Sequence, residues 1–168
     1  TYCGDADPVA VAFTTDSLGL PLTDGPEGLI GRTYAVDLAT GNFVQPAGIG
    51  SILGSALENN ILIGITAASA AQLEFRGALS TTGTTDQDYC AETLEGFDPA
   101  DFTSAPYFEI PEGDITLSVA GFEAEIKDLR VAGTFSADGG YFGGGELSGQ
   151  LDARDLVSVV AGLGLEAE

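Results

Sequence analysis

"ITLSVAGFEAEIKDLRVAGTFSADGGYFGGGELSGQL", residues 115–151, decides the fold class. Ile115, Leu117 and Val119 alternate with Thr116 and Ser118, and Phe122, Ala124 and Ile126 alternate with Glu123, Glu125 and Lys127. A period of two is that of a strand with one buried face. Only Ala120 and Gly121 separate the two runs, so a two-residue turn pairs Val119 with Phe122 and Leu117 with Ala124 on one face. Residues 129–135 continue as a strand, Ala137-Asp138-Gly139-Gly140 turns the chain, and 141–151 returns. Neighbours joined by short hairpins make an antiparallel meander.

Working outward from this segment, 72–79 (QLEFRGAL) alternates cleanly, with Leu73, Phe75, Gly77 and Leu79 inward and Gln72, Glu74 and Arg76 outward. The apolar run 61–66 (ILIGIT) reads as a central strand buried on both faces. Residues 32–38 and 9–14 read as further strands, and 16–28, with Pro21 and Pro26, as a loop. Residues 80–106 are polar and acidic without a period, which reads as one long loop. The period changes to helical over 48–58, where Ile49, Ile52, Leu53, Ala56 and Leu57 share a face. It changes again over 153–163, where Asp152 is placed to cap a stripe of Leu156, Val159, Val160 and Leu163. The expectation is a single, mainly β domain over 1–168. It has about seven to nine antiparallel strands in a barrel-like sheet or sandwich, a closed or nearly closed barrel being favoured, and two short helices.

Composition limits the function classes. The chain has 168 residues, 26 acidic against five basic, and a net charge of −21. That field repels phosphate backbones and anionic lipid surfaces and attracts cations. No run of apolar residues is long enough for a membrane-spanning helix, so no direct membrane insertion is expected. The absence of methionine reads as a processed, exported chain. Histidine is absent, which removes Ser–His and Cys–His nucleophile pairs, and no G-x-S-x-G motif occurs. The reading is of a non-catalytic protein, although no acidic pair can be singled out or excluded for glycoside hydrolysis.

Two cysteines, Cys3 and Cys90, each stand beside an Asp-x-Asp pair: CGDAD at 3–7 and TTDQDYC at 84–90. Polar flanks argue against buried free thiols and for a long-range disulfide formed in an oxidising compartment. Such a bond would gather Asp5, Asp7, Asp86 and Asp88. Alternate residues of an extended segment point one way, so the four carboxylates can face a common cation, with calcium the candidate. The alternative is four solvated acids, the common fate of acidic pairs on loops. A further stretch, 97–108 (FDPADFTSAPYF), mixes aromatic and acidic residues. Phe97, Asp98, Asp101, Phe102 and Tyr107 form a candidate binding loop, for stacking on sugars or docking a partner. The reading favoured over it is that the rings fold inward and cover one end of the barrel. The glycines at 139, 140, 143, 144, 145 and 149 mark a bulge, a bend, or a backbone approached by the molecule's own side chains or by a partner strand.

Three stretches, "GRTYAVDLATGNFVQPAGIGSILG" (31–54), "DFTSAPYFEI" (101–110) and "GTFSADGGYFGGGELSGQLDARDL" (133–156), resemble uncharacterised exported, lipoprotein-like β-domain proteins of myxobacteria and related Gram-negative bacteria. The resemblance covers most of 31–157 and implies export and surface placement, but brings no activity or functional residues. A lipoprotein anchor cysteine is not clearly present. The expected function is a cell-surface, extracellular or periplasmic structural or interaction domain, with calcium as a candidate stabiliser. Two alternatives stand beside it: a carbohydrate-binding module or glycoside hydrolase, and a self-associating subunit of an extracellular filament.

Overall fold

A computed structural model describes residues 17–37, 41–42, 44, 59–91, 93–94, 97–119 and 122–152. Seven strands form one antiparallel sheet, ordered in space as in sequence: β1 (Thr33–Val36), β2 (Ile61–Ala68), β3 (Gln72–Leu79), β4 (Ala100–Asp101), β5 (Tyr107–Val119), β6 (Phe122–Phe135) and β7 (Phe142–Leu151). The sheet curls into a half-barrel. Among the described residues there is no second sheet to make a sandwich. Among the described residues β1 and β7 do not pair, so the favoured closed or nearly closed barrel is corrected to a half-barrel there. The two helices expected at 48–58 and 153–163, and the strand at 9–14, fall outside the described residues. Within them the only helical segment is a single 3-10 turn, Pro26–Leu29, which runs one residue past the end of the stretch 16–28 read as a loop.

The β5–β6 hairpin has the register the alternation requires, with Val119 opposite Phe122 and Leu117 opposite Ala124. What the alternation hid is length. β5 begins at Tyr107, directly after the stretch 80–106 read as a loop, so residues 107–114, ahead of the alternation that starts at Ile115, are also strand. Pro111 masked it: a proline cannot donate to a ladder and argues against a central strand. The register shows how it is accommodated. β5 advances three residues from Ile110 to Gly113 while β6 advances two from Val131 to Leu129, so Pro111 and Glu112 sit at a bulge.

Two more bulges follow. Asp128 is the extra residue on β6 against both neighbours, at φ 50°. Its N–H donates to Asp114 Oδ1 at 3.1 Å and its Oδ2 accepts from Gln150 Nε2 at 2.7 Å, partners that suit an aspartate to the left-handed region. Gly144, at φ 59°, is the extra residue on β7. Bulges bend strands and raise local twist, which curls the sheet.

The curl encloses an aromatic core. Tyr34, Ile65, Leu73, Phe102, Phe108, Ile110 and Phe135 are buried together, with Phe75, Phe97, Val131 and Phe142 packed against them. Phe108 meets Phe142 edge-on at 5.4 Å and Phe102 meets Phe135 edge-on at 6.0 Å, the arrangement that sets a positive ring edge against a negative face. Gly133 lies opposite Phe108, and a Cβ there would stand 3.0 Å from the Phe108 ring and 3.1 Å from Phe142. β2 buries Leu62 on one face and Ile65 on the other, as its unbroken apolar run requires.

A strap formed by residues 17–32 spans the open side at one end. Leu18 bridges to Ser136, Ala137 N–H donates to the Ser17 carbonyl at 3.1 Å, and Thr23 N–H donates to the Ala137 carbonyl at 2.8 Å. At the far end of the strap, Gly31 N–H donates to the Ile65 carbonyl and Ile65 N–H to the Arg32 carbonyl, both at 2.9 Å. Leu29 plugs the interior between them, 1% exposed. Tyr34 Oη donates to the Gly139 carbonyl at 2.7 Å, tying β1 to the β6–β7 turn across the opening.

Candidate functional site

The segment read as one long loop is built structure in its first part. Ser80 bridges Gln87, Thr81 N–H donates to the Asp86 carbonyl at 2.8 Å, and Asp88 N–H donates to the Leu79 carbonyl at 2.9 Å. This small hairpin presents Asp86 and Asp88 half-exposed, with Cys90 exposed two residues on. Asp88 Oδ1 accepts from Cys90 N–H at 2.8 Å, so one carboxylate oxygen already shapes the turn around the thiol. Cys3, Asp5 and Asp7 lie outside the described residues, and with them the disulfide partner and half of the four-acid pocket. Among the described residues no group of three or more acidic or sulfur side chains is placed to hold a metal.

The candidate binding loop does not act as one surface. Phe102 is fully buried in the core, with its N–H donating to the Ala71 carbonyl. Phe97 is half-buried and tilts against Phe75 at 5.6 Å between ring centres. Asp98 is exposed. Asp101 sits on β4, where its Oδ1 accepts from the N–H and hydroxyl of Thr103, both at 2.8 Å; these bonds, the backbone one first, hold its carboxyl below the usual aspartate range. Tyr107 opens β5 on the convex face. Phe102 folds inward and covers the core, so the rings left for stacking are Phe97, half-buried, and Tyr107, exposed and tied to Glu109.

Strand register assembles a cluster that no sequence motif announces. Glu109 on β5 pairs with Ala132 on β6, and Arg130, two positions along, reaches diagonally to it. Arg130 Nη2 lies 2.7 Å from Glu109 Oε1, and Tyr107 Oη donates to Glu109 Oε2 at 2.9 Å. The guanidinium bond first, then the phenol, hold the Glu109 carboxyl below its usual range, while Glu109 pushes the Tyr107 phenol up. The cluster is open to solvent, and its three groups satisfy one another.

An open groove of about 520 Å³ runs along β3, lined by Thr66, Glu74, Phe75, Arg76, Phe97 and Pro99. It offers a guanidinium, one carboxylate and the Phe97 ring. The register explains it. β3 pairs with β4 at Gln72 and Leu73 and bridges to Leu94 at Gly77, and among the described residues the positions between have no paired neighbour on that side.

The sheet also ends in an open edge. Among the described residues β7 pairs with β6 on one side and with no strand on the other, and residues 144–150 are all exposed. Leu147 is 47% exposed. No helix among the described residues is long and apolar enough to cross a membrane. The chain matches no protein-family model, no curated protein sequence and no solved structure.

Proposed function

We propose that this chain is an exported, acidic β-domain that works without catalysis, as a structural or interaction module at the cell surface or in the periplasm. The observation that carries the reading is the open end of the sheet. A ten-residue strand offers a row of backbone donors and acceptors to a partner, and ordinary globular proteins cover or blunt such an edge. The resemblance to exported lipoprotein-like proteins, and the two cysteines with polar flanks, support placement outside the cytosol. The Cys3–Cys90 disulfide belongs to this reading, as does calcium held by Asp5, Asp7, Asp86 and Asp88. The net charge of −21 argues against nucleic acid as a partner.

The test is location and redox state. Immuno-electron microscopy of the native cells should place the chain outside the inner membrane, and thiol counting on the denatured native chain should find neither cysteine free. A cytosolic chain with two reactive thiols overturns the reading. Calcium has its own check. Excess calcium raises the melting temperature if it binds only the folded chain, by about 2.7 kcal/mol of stability at a hundred times the dissociation constant. An unmoved melting curve removes the cation site.

The groove along β3 favours a second reading, carbohydrate binding, because Phe97 supplies a ring beside Arg76 and Glu74. Among the described residues Glu74 is the carboxylate in its lining. A glycan screen with hits abolished by Phe97→Ala supports it, and a screen without hits retires it.

A further inference from the structure

We propose that β7 pairs antiparallel with β7 of a second copy of this chain, about a two-fold axis normal to the sheet centred on Ser148. This names a partner for the module proposed above and rests on that reading. Length selects the partner. The other edge, β1, has four residues, so β1 against β7 would leave most of β7 uncovered, whereas β7 against itself pairs the seven residues 145–151 with the same seven.

Charge permits it. Glu146 is the only charged residue in 142–151, and the strand has no lysine or proline, the residues that commonly guard an edge. The bulge at Gly144 bends the start of the strand away, which leaves 145–151 as the regular stretch, with Ser148 at its middle.

The register follows from the faces. Under a two-fold axis normal to the sheet, a residue meets one on the same face, so Leu147 meets an odd-numbered residue and Glu146 an even-numbered one. Centring on Glu146 would set that carboxylate against its own copy, which is unfavourable for residues directly opposite. Centring on Ser148 sets Glu146 opposite Gln150 and Leu147 opposite Gly149. Glu146 can then accept from the Gln150 amide. Leu147 gains the bare backbone of Gly149, a position where a Cβ would stand 2.7 Å from Ile126 Cγ2 and where only glycine leaves room.

The pairing is expected to be weak, because a single strand pair covers less area than a standard stable interface. It should strengthen with salt, since two copies carrying −21 each repel one another and ions screen that repulsion.

Sedimentation of the purified full chain over a concentration series, at low salt and in roughly 0.5 M sodium chloride, tests this. The expected result is a monomer–dimer equilibrium that stops at the dimer and tightens with salt. Leu147→Lys weakens it roughly tenfold or more. Leu20→Lys, an equal change of charge at an exposed site on the strap, does not. Gln150→Lys, opposite Glu146 of the other copy, tightens it more than Leu20→Lys does. Circular dichroism confirms that each variant is folded, and the gain expected from Gln150→Lys keeps the test open if Leu147→Lys fails to fold. A chain that stays monomeric at every concentration and salt, a dimer indifferent to Leu147→Lys and Gln150→Lys, or growth beyond the dimer each overturns the proposal. A monomeric chain found outside the cytosol would sink this inference and leave the module reading in place; a dimer in a cytosolic chain would do the reverse.

Discussion

Tyr34 shows how one side chain couples two distant parts of the chain. Its ring packs against Phe135 at 5.3 Å and its hydroxyl reaches the Gly139 carbonyl. Burial pushes the phenol from 10.0 up to about 12, with Arg32 pulling it down and Asp138 pushing it further up. Between those two values the unfolded chain releases a proton that the folded chain keeps. The stabilisation is therefore complete below pH 10 and is lost as the pH rises towards 12. Tyr34→Phe should cost about 1–2 kcal/mol in urea unfolding at neutral pH, by orphaning the Gly139 carbonyl, and should flatten the alkaline fall in stability. Gly133→Ala should cost about 1–3 kcal/mol in the same measurement, because a Cβ forces the Phe108 and Phe142 rings apart. At this scale the sequence was partly legible. Phe102 and Phe108 were recognisable as ring residues favoured to fold inward. Nothing in the residues near Glu109 named Arg130 as its partner, because the contact depends on how two strands slide past each other.

Elements were legible where one face is apolar and the other polar. β3 occupies 72–79, the span its alternation outlines, and the hairpin of β5 and β6 has the expected register. Elements were missed where backbone chemistry interrupts the pattern. Pro111 split the reading of β5, and the two-residue β4 is too short to show a period at all. The loop reading of 16–28 covers most of the strap, but its anchoring function was not visible. Leu29 fills the interior from a 3-10 turn, a geometry with no periodic signature over four residues. Leu29→Ala should destabilise the fold by about 2–4 kcal/mol in chemical denaturation, the cost of an unfilled cavity. The candidate binding loop holds to the inward reading at Phe102 and Phe108. Its five residues are contiguous enough in sequence to suggest one surface, yet β4 pairing turns Phe102 inward while Asp98 and Tyr107 stay outside.

At the scale of the whole molecule, the dominant physical fact is charge. A chain with 26 acids and five basic residues repels itself when compact, and ions weaken that repulsion. Its melting temperature should therefore rise by several degrees between low salt and roughly 0.5 M sodium chloride, as measured by calorimetry. A melting temperature that falls with salt would show that specific ion pairs outweigh the net field. Composition, periodicity and turn chemistry by themselves determined an antiparallel, mainly β chain with a C-terminal meander, because those signals are local and each residue carries its own share. Tertiary structure alone decided that, among the described residues, the sheet is open, a strap spans its gap, and Arg130 meets Glu109 while β3 and β7 keep exposed edges. These depend on register and on bulges at Pro111, Asp128 and Gly144, where a shift of one residue redirects every side chain beyond it, and no single stretch of sequence encodes the sum of those shifts.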